Sequence, residues 1–171
     1  ECAIVAPLLT LLVLGAIADK ESVQGPAAIV EAEVERGKAA NKEFLQSRLG
    51  LNLEPDVPLL GVVSRFTEQK GLDLLLEIAP LLTKLPVQLA MLGSGDAQMQ
   101  KAAHDLSHRY PGKIGAHIGF SEELSHQIEA GADMFVMPSR FEPCGLNQLY
   151  SQRYGTPPVV HATAGLVDSV V

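Results

Sequence analysis

Tryptophan is absent from the 171 residues, aromatic residues make up only 5%, and Cys2 and Cys144 are the only cysteines. Two thiols so far apart form neither a metal-ligand spacing nor a disulfide framework, which fits a reducing, cytosolic setting. The formal net charge is −7 and no long basic run occurs. A protein that binds nucleic acid without sequence preference needs a phosphate-neutralising surface, so the charge balance argues against that class. The Gly-x-Gly-x-x-Gly dinucleotide fingerprint is missing, because position 98 after "LGSGD" (92–96) is Gln, and no Gly-Lys-Ser or Gly-Lys-Thr phosphate loop occurs. Nicotinamide binding and nucleoside-triphosphate hydrolysis both lose ground.

Long apolar runs are nearly absent too. The exception is "CAIVAPLLTLLVLGAIA" (2–18), uncharged but short for a membrane span and interrupted by Pro7 and Gly15. No basic segment precedes it, so a secretory signal fits poorly, and a buried globular element is preferred to membrane contact. The chain begins with Glu1, which suggests a fragment or a processed product. Residues 1–36 are left unassigned, and 37–171 are read as one domain.

What is present is a globular composition, 47% hydrophobic and 19% charged, long enough for one sizeable core. From Pro58 onward, short apolar runs alternate with helix-period segments. "PLLGVVS" (58–64), "VQLAMLG" (87–93), "KIGAHIGF" (113–120), "MFVM" (134–137) and "PVV" (158–160) read as strands. Between them, "GLDLLLEIAPLLTKL" (71–85) reads as a helix kinked at Pro80. A second helix is capped by Asp96, and a third is capped by Ser121 with Glu122 and Glu123 in its first turn. A fourth runs from about Gly145 to a stop at Gly155, and "GLVDSVV" starts a fifth. Such βα units predict an α/β fold, a parallel sheet with helices on both faces, and a ligand site beyond the carboxyl ends of the strands.

Three strand-end segments carry candidate chemistry. "SRFTEQKGLD" (64–73) places Arg65 and Lys70 around a turn into a helix, a natural seat for a diphosphate, though a solvated surface turn has the same composition. "LGSGD" is weak by itself. "PSRFEPCGLNQLY" (138–150) is the most informative: Gly145 and Leu146 offer backbone N–H groups at a helix start, while Glu142 beside them cannot serve a phosphate. A carboxylate there suits hydroxyl groups on a neutral moiety joined to that phosphate, as in a nucleotide-sugar. Glu142 capping a nearby helix is the plainer alternative. Cys144 reads as a small packed residue, since no His lies close in sequence. His104 and His108 share a helix face but lack the intervening Glu of the metalloprotease pattern, and no metal site is expected.

"GKAANKEFLQSRLGL", "GVVSRFTEQKGLDLL", "LGSGD", "GFSEELSHQIEAGADMFVMPSRFEPCGLNQLYSQRYGTPPVV" and "GLVDSV", in that order from about Gly37 to Val171, resemble bacterial glycogen synthase and plant starch synthase. These are retaining glycosyltransferases of the two-domain GT-B architecture. The resemblance implies the C-terminal, Rossmann-like, donor-binding half of that fold. It implies that Arg65 and Lys70 assist departure of the ADP-glucose diphosphate and that Glu142 orients the transferred glucose. Donor contacts would come from Asp96, Phe120, Cys144, Gly145, Leu146, Tyr150, Thr163, Gly165 and Leu166, with Phe120 against the adenine. No metal and no cofactor is expected.

The implied partners are ADP-glucose or ADP, with an α-glucan acceptor only when the family's first domain, bearing its Lys-Thr-Gly-Gly loop, is present. That domain has no counterpart here, so the chain alone is expected to be inactive, and cytoplasmic in a bacterium or plastidic in a plant. A chain stopping inside the last helix is expected to self-associate through the edge left uncovered. The family pattern Arg-x-Thr-Gly-Gly-Leu is altered at His161 and Ala164, which removes a fixed charge near the diphosphate. Tyr150 stands where related transferases carry a second Glu. A non-catalytic truncated or recombined domain, and a different membrane-associated GT-B transferase, stay open as alternatives.

Overall fold

A computed structural model describes residues 26–170, with side-chain surroundings from residue 36 onward. The apolar 2–18 segment lies outside the described residues. Among the described residues no helix is long and apolar enough to cross a membrane. The chain divides into two compact units, Glu1–Lys38 and Ala39–Val171, and the second holds the sheet.

After helix α1 (Pro26–Arg48) come β1 (Leu59–Val63), a 3-10 turn (Glu68–Lys70), α2 (Leu72–Leu82), β2 (Gln88–Gly93), α3 (Ala97–Arg109) and β3 (Ile114–Ile118). Then follow α4 (Glu122–Gly131), β4 (Met134–Met137), α5 (Asn147–Arg153), β5 (Pro158–Val160) and α6 (Gly165–Ser169). The helix at 26–48 has no counterpart among the elements expected from periodicity. Every residue of β2 and β4 is buried, because a strand covered on both faces has no solvent side to mark with polar residues. The caps form where expected. Asp96 Oδ1 accepts from the Gln98 and Met99 amides, and Ser121 Oγ accepts from the Leu124 amide.

All five strands run parallel in the order β3-β2-β1-β4-β5. The chain therefore builds outward from β1 in one direction through β2 and β3, then returns to lay β4 on the other side. The strand order thus reverses between β1 and β4, the place at which a parallel sheet opens a ligand crevice along its carboxyl edge. Phe66, Phe135, Leu45, Leu59 and Leu166 are among the fully buried side chains of the core.

The amino edge of the sheet is closed by polar ties. Buried Lys42 reaches Asp133 Oδ2 at 2.7 Å and the Pro55 carbonyl at 2.8 Å, and the same Asp133 oxygen accepts from the Leu59 amide at 2.7 Å. Gln46 donates to Gln88 at 2.8 Å. Buried charges persist only when paired in this way. The polar groups of the amino edge are thus engaged with one another.

Candidate functional site

The loops after β1 and β4 are fastened to each other. Gly71, with φ 66° and ψ 20°, ends the 3-10 turn and opens α2. A Cβ there would sit 1.9 Å from the Pro138 carbonyl oxygen, so only glycine lets the two loops touch. Arg140 completes the fastening. Its amide donates to the Gln69 carbonyl at 2.9 Å, its Nη1 to the Glu68 carbonyl at 2.7 Å, and its guanidinium spans both Asp73 oxygens at 2.6 and 2.7 Å. The hydrogen-bonded guanidinium holds the Asp73 carboxyl below its ordinary value, and the carboxylate raises Arg140 in turn. Asn147 Nδ2 adds a bond to the Val63 carbonyl at 3.0 Å, joining the start of α5 to the end of β1.

Between these loops lies a cavity of about 210 Å³, whose lining includes Arg65, Lys70, Ser139, Glu142, Gly145 and Leu146. Its size is below the roughly 300–1,000 Å³ of a self-contained small-molecule pocket, so by itself it cannot enclose a ligand of that size. Lys70 Nζ and Glu142 Oε2 form an ion pair across it, with Glu142 only 6% exposed. Ser139 Oγ donates to the same carboxylate oxygen at 3.3 Å. Among the described residues the Glu142 carboxylate accepts from no helix amide, so the capping alternative is not what the structure shows. Arg65 is exposed, and among the described residues its guanidinium has no hydrogen-bond or ion-pair partner. The amides of Gly145 and Leu146 likewise donate to no other group among the described residues.

The other candidates fall at differing places. Asp96 is occupied as the cap of α3. Phe120 follows β3, two strands from β1 and therefore about 10 Å across the sheet, and the residue is 89% exposed. Tyr150 is exposed on α5. Cys144 is free and exposed, which corrects the packed residue expected of it. The turn instead packs through its backbone, since a Cβ on Gly165 would lie 2.9 Å from Cys144 Cα. The loop after β5 supports the Glu142 turn. Thr163 Oγ1 donates to the Arg140 carbonyl at 3.2 Å and the Gly165 amide to the Glu142 carbonyl at 3.1 Å. The Leu166 side chain is in the core, and its amide closes a turn on Thr163.

Arg65, Lys70, Glu142, Gly145 and Leu146 thus converge, while Asp96, Phe120 and Tyr150 lie outside the cavity. The positions of Ser139, Arg140 and Asn147 in this arrangement escaped sequence reasoning. The only signal was their place in the segment that follows β4.

Residues 44–171 match the family described as Glycosyl transferases group 1. The chain belongs to that family. It is 60% identical over 134 residues to the glycogen synthase of Nitrosomonas eutropha, covering 78% of this chain and 27% of that protein. To the glycogen synthase of Aromatoleum aromaticum it is 59% identical over 140 residues, covering 82% of this chain and 28% of the relative. Among solved structures it is similar to the catalytic domain of starch synthase IV from Arabidopsis thaliana bound to ADP and acarbose. That match has a TM-score of 0.72 and 35% identity, over 80% of this chain and 29% of that one. The chain therefore spans a little over a quarter of the curated relatives it matches. The parallel, Rossmann-like α/β sheet of this group 1 member agrees with the fold that its motifs implied.

Proposed function

We propose that this chain is the nucleotide-sugar-binding domain of a glycogen synthase-type glucosyltransferase. It would bind ADP-glucose for transfer of glucose to an α-1,4-glucan. The observation that carries this reading is the Lys70–Glu142 pair in the cavity where the strand order reverses, with unpaired Arg65 beside it. A cation and a buried carboxylate side by side suit a ligand that is anionic at one end and rich in hydroxyl groups at the other. The high identity to glycogen synthases and the similarity to a starch synthase solved with ADP support the adenine donor.

In this reading the bond between glucose C1 and the diphosphate oxygen breaks as an acceptor hydroxyl takes the glucose with retention. Negative charge grows on the departing diphosphate, and Arg65 and Lys70 stabilise it where it develops. Glu142 accepts hydrogen bonds from the sugar hydroxyls. The free amides of Gly145 and Leu146 supply further donors, with Cys144 on the same turn. Phe120, solvent-exposed, offers a face to the adenine, and Asp96 acts by fixing the start of α3 nearby. Tyr150, Thr163, Gly165 and Leu166 shape the donor side, Thr163 and Gly165 through their bonds to the Glu142 turn and Leu166 by anchoring that loop in the core.

The acceptor glucan and full turnover belong to the larger enzyme, because the cavity here is too small to enclose donor and acceptor by itself. The setting proposed is the cytoplasm, or the plastid in a plant. Calorimetric titration of the chain with ADP, ADP-glucose and UDP-glucose, repeated with Arg65→Ala, tests the reading. Adenine ligands should bind in preference to UDP-glucose and weaken in the variant. A folded chain that binds none of the three would leave a non-catalytic domain as the better account.

A further inference from the structure

The structure assigns Ser139 a positioning role: with Lys70 it holds Glu142 by Oε2, so that Oε1 is the oxygen offered to the transferred sugar. This inference rests on the function proposed above. Both hydrogen bonds to the carboxylate fall on one oxygen, the Lys70 ammonium and the Ser139 hydroxyl each donating to Oε2. Oε1 accepts no hydrogen bond among the described residues, and it is not among the buried polar atoms that lack one. It is therefore open to the cavity that Glu142 lines.

Rotation about the last side-chain bond turns the plane of the carboxylate, and with it the direction in which the second oxygen points, unless a contact fixes it. Lys70 does so weakly, because its ammonium is a point charge on a flexible four-carbon stem. Ser139 is the stiffer partner. It is 2% exposed, and its hydroxyl has a single proton to give. The peptide group that follows it is held at both its oxygen and its nitrogen. The Ser139 carbonyl lies 3.1 Å from His161 Nδ1, and the next amide, that of Arg140, donates to the Gln69 carbonyl at 2.9 Å. The Oγ position is thus set by the same fastening that joins the two loops. Removing this hydroxyl leaves the fold and the cations in place and frees the carboxylate to turn.

The test is a double-mutant cycle read by calorimetry, using Ser139→Ala, Glu142→Ala and the pair, each titrated with ADP-glucose and with ADP. Ser139→Ala should weaken ADP-glucose by about five- to tenfold, the scale of one ordinary hydrogen bond, since at 3.3 Å the contact is long for a hydroxyl on a carboxylate, and leave ADP within about twofold. In the Glu142→Ala background the same change should have no further effect on either ligand. Far-UV circular dichroism melts of each variant establish that it is folded. Equal losses for ADP and ADP-glucose would show a merely structural serine and overturn the assignment. So would an effect of Ser139→Ala that persists in full without Glu142, or an unchanged ratio of the two affinities. A wild-type chain that binds neither ligand would instead sink the proposed function, and the assignment with it.

Discussion

Substituting Gly71 by alanine separates the contribution of a backbone angle from that of a close approach, because the chain carries its own control. Gly71 and Gly155 have almost the same φ, 66° and 68°. A Cβ on Gly155 would meet nothing within 4 Å, whereas one on Gly71 would lie 1.9 Å from the Pro138 oxygen and 2.8 Å from its carbonyl carbon. The left-handed conformation costs an alanine about 1–2 kcal/mol, and the stiffer unfolded chain returns about 0.4–1 kcal/mol. Gly155→Ala should therefore destabilise by about 1 kcal/mol. For Gly71→Ala the obstructing atoms are backbone, so the loops must part. That breaks the Arg140 amide bond to Gln69 and strains the Arg140–Asp73 pair, adding about 1 kcal/mol for each. The expected loss is about 3 kcal/mol, some 2 kcal/mol beyond the control. Urea unfolding followed by far-UV circular dichroism measures both, since there is no tryptophan to report by fluorescence. ADP-glucose affinity should fall only in the Gly71 variant, where Lys70 and Glu142 are drawn apart. Equal destabilisation of the two variants, with binding intact, would refute the view that contact between these loops builds the site.

Three further outcomes rest on particular residues. Ala164 stands at φ 42°, ψ −127° as the first central residue of the turn closed by the Leu166 amide on the Thr163 carbonyl, a conformation that favours glycine. Ala164→Gly should relieve about 1–3 kcal/mol of strain against about 0.4–1 kcal/mol of added unfolded-state entropy, and a lower urea midpoint would contradict this. Asp73, held below its ordinary 3.8 by Arg140, contributes stability that is complete well above pH 3.8. That contribution is lost as pH falls through the lower folded-state value. Because the pair is about a third exposed, it is worth at most about 1 kcal/mol, and Asp73→Asn should remove that acid dependence in melts across pH 2–6. Glu129 is buried, and burial pushes its carboxyl up despite His126 nearby. Its charged form therefore opposes folding at neutral pH, and stability from this group grows as pH falls toward its ordinary 4.5. Glu129→Gln should raise the melting temperature at pH 7 and have little effect at pH 4, and a fall at pH 7 would count against the reasoning.

Much of the fold was legible because its signals are local. Five apolar runs became five strands, most plainly in β2 and β4, which are buried throughout and so have to be apolar along their whole length. Asp96 and Ser121 cap helices by bonding amides two or three residues ahead, an interaction that the sequence places within reach. The site was legible in part. Arg65, Lys70, Glu142 and the Gly145 turn each stand just past a strand end, and a parallel sheet brings such ends to one edge. Cys144 was misjudged because exposure depends on which way a turn faces, and that is set by the packing of Gly165 against it.

By itself, then, the sequence determined the five strands, the helices between them and the Asp96 and Ser121 caps, since each depends on neighbours a few residues away, and the parallel βα order pointed to the edge that would carry the chemistry. Only the tertiary structure decided which charge meets which. Arg140, to which the sequence assigned no partner, is bound to Asp73 across 67 residues, and Lys70 to Glu142 across 72. The strand order β3-β2-β1-β4-β5 makes both pairs by setting the loop after β4 against the loop after β1. Charges choose partners by distance in space, and for groups so far apart in the chain that distance exists only once the sheet has formed.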